Sequence, residues 1–152
     1  MGSSSPSKLY DPVRRKWVPA LPEEAVRQRL LRIMLDEKGF PKHLLAVEVE
    51  LARLPHLIER SSLPDRRADI LCFSRGIHPH YPFYPLLLVE CKGHDASSAA
   101  FEQAWGYNRH VQAPFVAVAG PTSVCCAYRE KGEWRTFDAL PSYPQLLQAV
   151  LK

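Results

Sequence analysis

The sequence predicts a single α/β domain, and three observations carry that prediction. Helix-spaced and strand-spaced apolar segments follow one another in the order α-β-β-β-α-β-β-β-α from residue 22 onward. One central segment, Leu86-Leu87-Leu88-Val89, is apolar on both faces, as a strand covered by two layers must be. The 152 residues, 46% hydrophobic and 10% aromatic, suffice for one core.

Residues 1–21 read as an extended arm, because Pro6, Pro12 and Pro19 interrupt any regular pattern. Within it, Arg14-Arg15-Lys16-Trp17 sets a basic cluster beside an aromatic that could dock on the domain. The domain proper is expected over 22–152. Its first helix opens at Pro22, a residue suited to the first turn, with Glu23 and Glu24 at the positive end of the helix dipole. Val26, Leu30, Ile33 and Met34 form its stripe, and Gly39 ends it. A strand follows over Leu45–Leu51, with Glu48 and Glu50 turned away from its apolar side, toward solvent or a neighbouring strand; Glu48 is an outside candidate for the acidic cluster.

After a loop from Pro55 to Pro64, a second strand runs from Ala68 to Phe73. Residues 75–85, rich in Pro, His and Tyr, form a connection, and His78-Pro79-His80 is read as loop rather than as a ligand pair. The buried strand then ends on Glu90-Cys91-Lys92 and is stopped by Gly93. Asp95, Ser97 or Ser98 can cap the next helix, which reaches about Gln112. Strands are expected at Pro114–Ala119, Ser123–Tyr128 and Trp134–Phe137, and a closing helix at Pro144–Leu151. Phe101, Ala104 and Trp105 read as core packing.

Charge and cysteine usage narrow the function. The net charge of +4 favours an anionic partner such as nucleic acid. No apolar run approaches the roughly 20 residues of a membrane span. The N-terminus has no hydrophobic signal segment. Cys72, Cys91, Cys125 and Cys126 lack C-x-x-C spacing, and three of them lie in apolar runs, so buried reduced thiols in a soluble, cytoplasmic protein are expected. No glycine-rich nucleotide loop occurs, which excludes ATP hydrolysis.

The chemistry concentrates at the end of the apolar strand. Glu90 and Lys92, two residues apart, project from one face while Cys91 points into the opposite layer. A carboxylate and an ammonium emerging from a wholly apolar run are costly unless paired or used. If the Asp69 strand pairs antiparallel with this one, Asp69 comes beside Glu90, and two adjacent carboxylates repel unless a divalent cation sits between them. Mg²⁺ suits such oxygen donors. The plainer alternative is a strand-end ion pair, worth at most about 1 kcal/mol if exposed.

These residues resemble the PD-(D/E)xK nuclease superfamily. Ala68-Asp69-Ile70-Leu71 and Glu90-Cys91-Lys92 match its core motif, and Gln103-Ala104-Trp105-Gly106-Tyr107 fits the Q-x-x-x-Y element of the branch that includes recombination-helicase nuclease domains. The opening helix, Pro22-Glu23-Glu24-Ala25-Val26-Arg27-Gln28, resembles that of the N-terminal domain of type I restriction enzyme R subunits in its short stand-alone form. The resemblance spans about residues 10–130 and implies a restriction-endonuclease-like core: a mixed β-sheet of about five strands flanked by helices.

It further implies that Asp69, Glu90 and the Cys91 backbone carbonyl bind Mg²⁺ (or Mn²⁺), that Lys92 is catalytic, and that Gln103 and Tyr107 contact DNA backbone or support the centre. Glu23 or Glu24, with Glu24 favoured, would complete the metal shell. Ala68 stands where the family has its proline, and Pro64-Asp65 is a decoy not followed by a strand. Arg66 and Arg67 are the basic residues best placed for phosphate, with a plain surface role as the alternative. The expected function is a Mg²⁺-dependent deoxyribonuclease domain. Alternatives are a non-catalytic nucleic-acid-binding or assembly module, and a homodimeric resolvase-like enzyme. A homodimer or a larger restriction or repair assembly is the expected setting, without membrane attachment.

Overall fold

A computed structural model describes residues 7–151 except Glu59, Ser61, Ala96 and Ser97. From residue 22 onward the order of helices and strands is the expected one: α1 (Pro22–Asp36), β3 (Leu45–Glu50), β4 (Arg67–Arg75), β5 (Phe83–Cys91), α2 (Ser98–Val111), β6 (Phe115–Ala119), β7 (Val124–Glu130), β8 (Glu133–Phe137) and α3 (Tyr143–Val150). The mixed sheet holds all six of these strands, against the about five that the resemblance implies, in the order β3-β4-β5-β6-β7-β8. Only β5 and β6 run parallel. That pair needs a crossover, and α2 supplies it.

The chain before α1 departs from the expected arm. Strands β1 (Lys8–Asp11) and β2 (Lys16–Pro19) pair antiparallel as a separate hairpin. Pro12 falls in its turn and Pro19 at a strand end, where neither removes a needed hydrogen bond. The turn is organised by Asp11, whose Oδ1 accepts the backbone N–H groups of Val13 and Arg14, both at 2.8 Å. Trp17 stays 65% exposed, with the Tyr10 ring edge-on to it at 5.4 Å, rather than docking into the core.

Strand alternation sorts the core into layers. Leu87, Val89 and Cys91 of β5 pack with Leu30, Leu31 and Met34 of α1 and Leu146 of α3. Leu88, on the opposite face, packs with Leu71 of β4 and Tyr107 and Val111 of α2. Phe101 and Ala104 continue that second layer over Val116 and Val118 of β6. The result is a sheet with α1 and α3 on one side and α2 on the other. Leu86 to Val89 are fully buried, as a central strand requires. Truncating Leu88 to alanine is expected to lower unfolding stability by about 2–5 kcal/mol, read from urea denaturation.

The helix ends have local causes. Gly39 adopts a left-handed φ of 71°, which turns the chain out of α1 and lets the Phe40 N–H donate to the Met34 carbonyl at 3.0 Å. Ser142 caps α3 through a reciprocal capping box with Gln145. The cap expected from Ser97 lies outside the described residues, and Asp95 serves another partner. Its carboxylate accepts from the Thr122 hydroxyl at 2.8 Å and the Thr122 N–H at 3.1 Å, tying the loop after β5 to the β6–β7 turn. All four cysteines are free thiols, and burial pushes those of Cys72 and Cys126 up to about 12.

Candidate functional site

The antiparallel register of β4 and β5 builds the site. Ile70 lies opposite Val89, so Asp69 and Glu90 meet one step further along. The Cys91 N–H donates to Asp69 Oδ2 at 2.7 Å, fixing the Asp69 carboxylate against the end of β5. Glu90 is only 6% exposed, and its Oε1 has no hydrogen-bond partner among the described residues. Burial first, and the adjoining Asp69 carboxylate second, push the Glu90 carboxyl up to about 8.

Lys92 follows just beyond β5, and its Nζ donates to Gln103 Oε1 of α2 at 2.7 Å. Four residues further along α2, Tyr107 turns its ring toward the same region, beneath the Arg66 guanidinium at 5.2 Å. The Tyr107 hydroxyl is buried without a hydrogen-bond partner among the described residues, and its ionisation is raised by burial and then by the Glu90 charge. Asp69, Glu90, Lys92, Gln103, Tyr107 and Arg66 are therefore brought together. Arg67 is not: it pairs with Glu50 at 3.3 Å on the surface.

Glu24 lies behind a guanidinium. Its Oε1 accepts from both Arg14 and Arg27 at 2.8 Å, and its Oε2 from Gln28 at 3.1 Å. Arg27 in turn reaches Glu48 at 2.6 Å and Asp69 Oδ1 at 2.8 Å. The hairpin closes the network, because Asp11 Oδ2 accepts from Arg14 Nε at 2.6 Å and Gln28 at 2.9 Å. Burial would raise the Asp11 carboxyl, but the donors from Arg14, Gln28 and Val13 outweigh it and hold the group below its usual value.

Arg27 was not singled out from the sequence, though a signal was there. Glu24, Arg27 and Gln28 continue the buried side of α1 one turn before Leu31, so charged and polar residues occupy the helix face that should be apolar. Glu48, the outside candidate for the acidic cluster, does join this network, and it has a left-handed φ of 58°. Neighbouring pairs Val47–Ile70 and Val49–Ala68 keep register around it. A non-glycine residue held there carries local strain, of the kind that clusters at functional sites.

Among the described residues, no group of three or more His, Cys, Asp or Glu side chains is arranged to hold a metal ion. The donor set beside Lys92 is nonetheless compatible with Mg²⁺, which commonly takes one or two carboxylates and keeps several waters. The buried, unpartnered Glu90 Oε1 next to Asp69 is an oxygen awaiting a donor or a cation. Among the described residues, three of the five such orphaned atoms, on Arg27, Glu90 and Tyr107, belong to this one region. A separate surface hollow of about 880 Å³, lined by His56, Arg60, Tyr81 and His110, includes none of them. No helix is long and apolar enough to cross a membrane among the described residues.

The family model described as type I restriction enzyme R protein N terminus matches residues 22–144, which include α1, the β4–β5 pair and α2. No curated protein and no solved structure shows significant similarity to the chain.

Proposed function

From the premise that this chain belongs to the type I restriction enzyme R protein N-terminal family, we propose that it is a divalent-metal-dependent nuclease domain of the PD-(D/E)xK kind, hydrolysing DNA phosphodiester bonds. The observation that carries the reading is the meeting of Asp69 and Glu90 at the end of the β4–β5 pair, with Lys92 immediately beyond. Asp69, Glu90 and the Cys91 carbonyl would hold Mg²⁺ or Mn²⁺. Glu24 would hold Arg27 in place rather than bind the ion.

When bound, the ion supplies polarisation of a phosphoryl oxygen and a lower pKa for water. The chain's own residues do the rest. Lys92 directs or deprotonates the attacking water and faces the charge that develops on the phosphoryl oxygens. Gln103 keeps the Lys92 ammonium aimed at that position. Arg66, stacked on Tyr107, is free to meet the DNA phosphate. The proposed partners are DNA and a larger restriction or repair assembly, the latter because the family is a part of type I restriction enzymes.

The test is cleavage of supercoiled and branched DNA in Mg²⁺ or Mn²⁺ against EDTA. Metal-dependent cutting by the wild type is expected. A second reading keeps the fold as a non-catalytic DNA-binding or assembly module, and Arg27 lodged among the carboxylates favours it. DNA retention without cutting in any metal would establish that reading instead.

A further inference from the structure

Arg27 is a strange residue to bury on α1. Its side chain is 6% exposed and its Nε has no hydrogen-bond partner among the described residues, yet its two terminal nitrogens face three carboxylates. Nη1 meets Glu24 at 2.8 Å, and Nη2 meets both Glu48 at 2.6 Å and Asp69 Oδ1 at 2.8 Å. Surface ion pairs rarely hold such geometry, whereas a buried charge demands it.

Two-metal phosphodiester centres place ions about 3.5–4 Å apart. A carboxylate that bridges them gives one oxygen to each. Here the two oxygens of Asp69 meet different partners. Oδ2 is turned to the end of β5, beside Glu90, and Oδ1 is turned to Arg27. A second ion would need Asp69 Oδ1 together with Glu24 or Glu48, and the guanidinium already lies among those oxygens.

We propose that Arg27 is a built-in counter-cation that fills the second cation position, so that the centre accepts one divalent ion at Asp69 and Glu90 rather than two. The proposal rests on the metal-dependent reading above for the first ion, but the role of Arg27 stands on its own contacts. Arg14 clamps Glu24 from the hairpin side, so the hairpin helps hold Arg27 in position.

The experiment counts Mn²⁺ per chain by calorimetry and by electron paramagnetic resonance, with thermal melting in EDTA and in Mn²⁺ alongside. Arg27→Met should bind one more ion than the wild type, with a melting midpoint that Mn²⁺ raises more than it raises the wild type's. Arg27→Lys, which keeps a positive charge, should bind the wild-type number. Two ions on the wild-type chain, or an unchanged count in Arg27→Met, overturns the proposal. A wild-type count of zero defeats the metal-dependent reading alone, because the difference between wild type and Arg27→Met still decides the role of Arg27. If Arg27→Met fails to fold even in Mn²⁺, Glu48→Gln decides in its place. An unchanged ion count supports Arg27 as the occupant, and a lower one shows that Glu48 itself binds metal and overturns it.

Discussion

Replacing Lys92 by alanine is expected to slow Mg²⁺-dependent DNA cleavage by roughly 10²–10⁴-fold, the range for losing one proton-transfer or charge-stabilising group. Ion binding should stay near the wild-type level, because Lys92 is not among the oxygen donors. DNA affinity should also change little, since one of several basic groups is lost while Arg66 remains. Asp69→Ala should behave differently. It removes a donor oxygen and the acceptor of the Cys91 N–H, so ion binding and cleavage should fall together. Single-turnover rates, calorimetric metal binding and DNA retention separate the two variants. Equal cleavage by Lys92→Ala and the wild type would mean that another group drives the water. Gln103→Ala offers an intermediate case, because it frees the Lys92 ammonium without removing it. Its rate should fall less, and Gln103→Glu, which retains an acceptor, should recover part of the loss.

The sequence showed the parts of this site that depend on strand periodicity and hid those that depend on long side chains. Alternation alone sends Glu90 and Lys92 to one side of β5 and Cys91 to the other, and Cys91 does pack in the layer of α1. The four-residue apolar run marked β5 as central, and an antiparallel neighbour was enough to bring Asp69 to Glu90. Arg27 escaped because a guanidinium acts at the end of a flexible stem, and spacing along α1 does not say which carboxylates it will reach. Glu48 was legible only as an outside candidate for the acidic cluster. A strand pattern turns it toward solvent or a neighbouring strand, whereas the chain holds it at a left-handed φ and pairs it with Arg27. The hairpin was hidden by its prolines, which argue against regular structure in general but sit in this case in a turn and at a strand end. Asp95 looked like a helix cap from its position, and a tertiary contact with Thr122 claims its oxygens.

Glu90→Gln is expected to stabilise the metal-free protein at alkaline pH and to leave it almost unchanged in acid. Burial, reinforced by Asp69, raises the folded-state carboxyl of Glu90 from 4.5 to about 8. Between those values the unfolded chain has released a proton that the folded chain still holds. Folding therefore takes up a proton, and stability is lost as pH rises through that window. The contribution is fully present below the unfolded value and gone above about 8. A tenfold difference in proton affinity between the folded and unfolded chain corresponds to about 1.4 kcal/mol, so the total is on the order of a few kcal/mol. Glutamine keeps the shape without the charge, and so escapes the loss. In EDTA the Glu90→Gln variant should melt well above the wild type near about pH 9, with the two curves meeting at about pH 4. Mg²⁺ should then narrow or reverse the gap, because the ion rewards the ionised carboxylate and gains little from an amide. A variant that melts below the wild type across the whole range in EDTA would show that the Glu90 charge is stabilising. The Lys92 and Arg66 charges would then have to outweigh both burial and Asp69.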